Sequence, residues 1–486
     1  MCTECRPLGG RGVAWRLALC ALSVLLAGWG PAWEANVYIN VNCGEGETVN
    51  GALEPDPPLD KTDHIEVTIT GTCVEAVVVE GFKDLNLSGD AIIQRPVTTG
   101  WPGKSALEVW DSGGVTGGSN TPGVNINALT FRGLDPDEYR APVVRILRSK
   151  VNIGGCTIGD NGADGGTGLD IGDHSAVSIS GTTIENNQGF GLNAGGSSIV
   201  YVAGYLADDV IIQGNRAGVS ATDDALVALG NVKIHDNQQS AVQASNAAIV
   251  DFGSWDPVDA APDIYGNGQL YYPAVAATLG GQVWLGKATI HDNRDAGAGA
   301  DGGGQIMMCC GQGQVVIREN QGAGITAWAG GTIRGWLPVL VEGNLGGGVL
   351  IQQGSEAEFG TGTVIRSNGD STDPDSFGGL FVDNSSALSV GSNATVADNY
   401  GPGVFLRGNS SATFWENASI TGNQGYGVLL ELSSSATFGD GVSASGNRKF
   451  DLVCASGSVA GTPQGSHPSI ARMKCPEWYQ LQRLPE

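Results

Sequence analysis

The chain has 486 residues, 77 of them glycine, with 41% hydrophobic and 15% charged residues. That apolar fraction excludes a disordered chain, and glycine without a Gly-X-Y period excludes collagen. With 25 basic against 50 acidic residues the formal charge is −25, which makes nucleic acid a poor partner and leaves calcium binding open.

Residues 1–35 read as a signal peptide. Arg6, Arg11 and Arg16 precede an apolar run from Leu17 to Gly28, and small residues follow around Gly30-Pro31-Ala32. The run falls short of the ~18 residues of a spanning helix, and no second long apolar run follows. An exported protein, secreted or periplasmic, is expected, without a membrane span after signal removal; an uncleaved anchor is the alternative.

Export bears on the cysteines, because an oxidising compartment favours disulfides. Cys43 and Cys73 are close in sequence near one end, as are Cys454 and Cys475 near the other, and both pairs are expected to be staples. Beyond residues 1–35 no CxxC zinc spacing occurs, so no metal ligands are assigned. Cys156 reads as a small buried apolar residue, and the adjacent Cys309-Cys310 has no explanation in the sequence.

Residues 149–454 repeat. Asn161, Asn187, Asn215, Asn237, Asn267, Asn293, Asn320, Asn344, Asn368, Asn399, Asn423 and Asn447 recur at intervals of 22 to 31 residues. An apolar residue stands three positions before each, from Ile158 to Ile420 and, weakened, Ala444. A small residue and then an aliphatic one follow each Asn, as in Gly348-Val349 and Gly427-Val428. Short β-branched runs bounded by Gly and Asn are strand-and-corner grammar. No unit of this size buries its own apolar face, so units must stack, with an Ile column inside and the Asn side chains in a ladder. Ser385-Ser386, Ser410-Ser411 and Ser434-Ser435 form a second corner column. The predicted fold is all-β: a single-stranded parallel β-helix solenoid of about 12 or more coils with capped ends, right-handed by the resemblance given next.

The I-x-x-N corner followed by N-x-G-x-G and an aliphatic residue resembles the repeat of right-handed parallel β-helix (pectin lyase-like) proteins over about residues 150 to 454. No characterised subfamily is identified. Residues 36–148 resemble the opening of secreted bacterial members, with Val41-Asn42-Cys43, an apolar helical stretch, and the strands at Ile65 and Leu85. This resemblance implies an N-terminal cap with the first coils, and residues 455–486 read as a C-terminal cap.

The resemblance implies no single activity, since the fold carries lyases, hydrolases, epimerases and non-enzymatic surface proteins. The Gly-His-Gly and Arg-Ile-Lys of polygalacturonases and the Asp-Pro-His of mannuronan epimerases are absent. Asp208-Asp209 and Asp223-Asp224 read as solvated corners, and Gly165 to Gly172 matches a calcium repeat only in part.

Stacking the repeat aligns His235, Tyr265, His291 and Arg318 in one outer column, with Asp292 beside it. A base, a phenol and a guanidinium in line suit an acidic sugar, although a polar corner column accepts any hydrophilic residue. Long insertions at 251–284 and 294–314 bring the aromatic residues Trp255, Tyr271, Tyr272 and Trp284, whose faces suit sugar rings. Further on, Phe381, Phe405 and Leu429 fall in an outward apolar stripe with Leu350 and Val453. An exposed stripe is unfavourable, so a cover is expected: the tail around Trp478 and Leu481, or a second copy in an oligomer.

Two functions follow as expectations. One is an exported scaffold binding an extracellular or cell-surface polysaccharide or a protein partner. The other is a polysaccharide lyase or epimerase acting on an acidic glycan through His235, His291 and Arg318.

Overall fold

The computed structural model describes residues 36–481 except 56–57, 97–104, 114–122, 134–140, 163, 204–208, 254–260, 269–271, 312, 373–376, 464 and 476–477. The signal peptide read at 1–35 lies outside the described residues. The chain winds as a right-handed parallel β-solenoid of about 15 turns, with three parallel sheets along its length. Each turn visits the first sheet (Lys150–Gly154), the second (Thr157–Gly159) and the third (Leu169–Gly172) before returning to the first at Ala176–Ser180. The described residues include one short α-helix, Val49–Leu53, at the N-terminal cap. No helix among them is long and apolar enough to cross a membrane.

The predicted Ile column fills the core. Ile158, Ile184, Ile212, Ile234, Ile264, Ile290, Ile317, Ile365 and Ile420 are fully buried and stack in register, as in Ile234↔Ile264↔Ile290↔Ile317. Strand alternation then fixes the outside, because residues flanking each inward Ile must point away from the core.

The Asn column forms a continuous ladder inside the corner between the second and third sheets. From Asn187 onward each side-chain oxygen accepts from the backbone N–H of the Asn one turn earlier, as Asn237 Oδ1 does from Asn215 at 3.0 Å. From Asn187 to Asn423 the side-chain amides are also bonded to one another along the column, as Asn187 Nδ2 is to Asn215 Oδ1 at 2.8 Å. The residue before each Asn sits at positive φ, which selects Gly, Asp or Asn for most of these corners: Asn186, Asp236, Gly266, Asp292 and Gly343 have φ between 52° and 67°. The serine column is a second ladder, with Ser386, Ser410 and Ser434 each accepting from the previous turn through Oγ.

The Asn ladder ends on a charge. Asp451 is fully buried; its Oδ1 accepts from Asn447 Nδ2 at 2.9 Å, and its Oδ2 accepts from Arg472 N and Nε, both at 3.0 Å. Burial pushes the Asp451 pKa up, but the bonds from Arg472 and Asn447 outweigh it and hold the carboxyl below its ordinary range. A carboxyl depressed in the folded state stabilises above its unfolded pKa, and that contribution is lost as pH falls through the folded value. The destabilisation caused by Asp451→Asn is therefore expected to shrink as pH drops below about 4, measured by urea unfolding across that range. A difference between the two proteins that stays constant with pH would contradict the assignment.

Both predicted staples form, Cys43–Cys73 and Cys454–Cys475, and Cys309 is bonded to its neighbour Cys310. Cys156 is a buried free thiol. The tail departs from the expectation of a separate cap. Ser469–Ile470, Met473–Lys474 and Trp478–Leu481 pair with the second, third and first sheets in turn, so the tail continues the stack.

That placement also corrects the cover expected over the apolar stripe. Leu350, Phe381, Phe405 and Leu429 pair in register on the third sheet, whereas Trp478–Leu481 extends the first. Phe381 is only 1% exposed, so it is a packing residue and not the binding residue expected. Phe377 lies against it with centroids 4.3 Å apart, and the Arg407 guanidinium, held by Asp383 at 2.8 Å, sits 5.0 Å from its ring. The stripe is thus partly covered from within, by a neighbouring corner and an arginine, while Phe405 and Leu429 remain half-buried.

Candidate functional site

The predicted polar column stands on the outer face of the second sheet. Register places His235 of Val232–His235 beside Tyr265 of Asp263–Tyr265, then His291 of Ala288–His291, then Arg318 of Val315–Arg318. The inward Ile of each strand is the cause, since it forces the next residue outward. His235 stacks on Tyr265 with centroids 4.7 Å apart and planes 4° from parallel, and Tyr265 on His291 at 5.4 Å and 20°. Rings stacked along the solenoid axis cover one another's faces and turn their edges to solvent. The column is therefore a comb of polar tips and not an aromatic platform.

Carboxylates pin the rings. His235 Nδ1 meets Asp236 Oδ2 at 2.8 Å; His291 Nδ1 meets Asp292 Oδ2 at 2.6 Å, and its Nε2 meets Asp263 Oδ1 at 3.0 Å. Asp236 and Asp292 occupy the positive-φ corner position, so the same residues turn the chain and reach back to the preceding histidine. Both ring nitrogens of His291 are thus engaged by carboxylate oxygens, which fixes the orientation of the ring.

Two positions back along each strand lies a second outward column that reading the sequence missed: Lys233, Asp263 and Thr289 in register. Its signal in the sequence is the strand alternation itself, since outward positions recur every second residue. Over this second column is a cleft of about 420 Å³ lined by Asp209, Lys233, Asp263 and Thr289, with His291 and Arg318 of the first column on its edge, among others. The Lys233 ammonium pairs with the Asp209 carboxylate, which also accepts from Asn231 Nδ2 at 2.7 Å. The bond to Lys233 holds the Asp209 carboxyl below its ordinary range and raises the Lys233 ammonium above its own. The Arg318 guanidinium pairs with Glu319. Burial, then the Asp263 and Asp236 charges, raise the Tyr265 phenol, which stays a neutral hydroxyl donor at neutral pH.

Of the aromatic residues expected around this column, the two that are described lie on other parts of the coil. Trp284 belongs to Gln282–Trp284 of the first sheet, half-buried, with Nε1 donating to Gln282 Oε1 at 3.2 Å. Tyr272 is exposed ahead of the third-sheet strand Val275–Thr278. Trp255 and Tyr271, like Asp208, lie outside the described residues. The stretch 294–314 is largely regular coil, with strands Ala298–Asp301 and Gln305–Met308, and not an insertion. Among the described residues, Cys43, Cys73 and Glu75 are the one group close enough to hold a metal, and there the sulfurs are bonded to each other.

The fold and cleft define a class: a right-handed parallel β-solenoid with stapled ends and a polar comb on one sheet. No protein-family model matches the chain, and no curated protein matches it in sequence.

Proposed function

We propose that the protein is an exported scaffold that binds a hydroxyl-rich polysaccharide along its second sheet without changing it. The observation that carries this reading is the pre-arranged comb: His235, Tyr265 and His291 locked by stacking and carboxylates beside a cleft whose two cations are already paired. Fixed donors and acceptors at the ~4.8 Å spacing of the coils bind a chain of hydroxyls with little ordering cost. Paired cations, in a protein of formal charge −25, offer little to a uronate carboxylate. Disulfides near both ends fit an oxidising compartment outside the cytosol.

Tyr265→Phe keeps the stack and removes one hydroxyl. It is expected to weaken polysaccharide binding about 2- to 10-fold, the worth of one hydrogen bond, as read by retardation in polysaccharide-containing native gels. Unchanged retardation would remove the comb from the binding surface.

One observation favours a second reading. His235 holds its Nδ1 against Asp236, an arrangement that orients the other nitrogen as a general base, as a polysaccharide lyase or epimerase requires. Under that reading His235→Ala abolishes turnover of a uronate polymer; under ours there is no turnover to abolish.

A further inference from the structure

We infer a second carbohydrate site, on a different edge of the solenoid: a slot between Trp336 and Trp415 that takes a neutral oligosaccharide. Both residues occupy the corner that follows a first-sheet strand, Thr332–Gly335 for the one and Ser411–Phe414 for the other. Extending the strand registers by two residues for the first pair and one for the others aligns Trp336, Gly360, Gly391 and Trp415 on four successive turns. The close stacking agrees, because a Cβ on Gly360 would lie 3.0 Å from Trp336 C and one on Gly391 would lie 2.6 Å from Gly360 C. Two indoles therefore stand three turns apart, about 14 Å at the strand spacing, with bare backbone between them.

The next turn returns to glycine, Gly439, at the same position. A large side chain is thus not what this corner needs for packing, and both indoles remain open, Trp336 58% and Trp415 51% exposed. Single exposed aromatics need no explanation, but two aligned across a glycine floor form a built surface. The floor is a cleft of about 290 Å³ to which Glu358, Thr361, Ser389 and Ser392 add polar groups. Trp415 Nε1 donates to Ser389 Oγ at 2.9 Å, fixing the indole, and Ser392 Oγ donates to Glu416 Oε2 at 2.9 Å.

Apolar ring faces beside hydroxyls and carboxylate acceptors match a sugar, which carries C–H faces and hydroxyl edges. The charge selects among sugars. Glu358 and Glu416 at the rim repel uronates and accept hydroxyl donors, so the occupant is neutral. This site does not depend on the comb of the second sheet, which lies around a different set of coils.

Saturation-transfer NMR with cellohexaose, xylohexaose and mannohexaose, and with oligogalacturonate as the acidic probe, tests it. Wild-type protein is expected to transfer saturation to the ring protons of at least one neutral hexaose and not to oligogalacturonate. Trp336→Ala and Trp415→Ala each reduce affinity at least tenfold with unchanged thermal unfolding, Trp415→Phe retains part of it, and Tyr265→Phe leaves it intact. Silence toward all three neutral hexaoses, equal binding of the acidic probe, or affinity indifferent to both alanine variants overturns the slot. Binding lost in Tyr265→Phe but kept in the tryptophan variants also overturns it, while leaving the second-sheet reading standing.

Discussion

Asn344→Ala is expected to lower the free energy of unfolding by about 3–5 kcal/mol, since each buried donor left without an acceptor costs about 1–3 kcal/mol. Asn344 is fully buried at the middle of the ladder. Its Oδ1 accepts from Asn320 N at 3.1 Å and Asn320 Nδ2 at 2.8 Å, and its Nδ2 donates to Asn368 Oδ1 at 2.9 Å and Ile317 O at 3.2 Å. Truncation removes the acceptor for two Asn320 donors and opens a gap that the closed turn does not let water enter freely. Asn344→Asp should be no milder, because it replaces the shared amide protons by a buried charge. Urea unfolding measures both. A loss below about 1 kcal/mol would mean that backbone pairing alone holds neighbouring turns together.

Ile420→Ala is expected to cost about 2–5 kcal/mol, and Ile420→Val about 0.5–1.5 kcal/mol. Ile420 is fully buried, between Val396 and Ala444 in the core column. Its Cγ2 also lies 2.9 Å from where a Cβ on Gly403 would stand, so the side chain fills its space to the wall. Strands held on both sides by parallel pairing have little freedom to close the hole, which favours the upper part of the range. Because turns interact chiefly with their neighbours, the damage is local: proteolysis near residue 420 should accelerate before the whole chain unfolds. A small effect on both measures would place the core column elsewhere.

The scaffold was legible in the sequence because it is written in repetition. The Ile and Asn columns had to recur for the turns to stack, and every Asn from Asn187 to Asn423 bonds the next one as the period implies. The His235–Tyr265–His291–Arg318 column was legible for the same reason, since register follows once the inward residue of each strand is known. What escaped depended on geometry that one column does not carry. Lys233 and Asp263 needed the second outward column, and Phe381 looked exposed because nothing in its own strand announces Phe377 and Arg407 folding over it. Trp284 read as part of an insertion although it sits on a regular first-sheet strand. Trp336 and Trp415 are far apart in sequence and carry no motif; only the glycine turns between them bring them into one slot. The tail read as a cap, yet strand pairing through Met473–Lys474 and Trp478–Leu481 carries the stack on.

The central claim, a scaffold that holds a polysaccharide without transforming it, is tested most directly by one paired assay. Purified protein is incubated with a panel of neutral and uronate polysaccharides, and each sample is scored both for retained protein and for new reducing or unsaturated chain ends. The account predicts retention on at least one neutral polymer with no new ends on any. New chain ends that vanish in His235→Ala would contradict it and establish the enzyme reading instead.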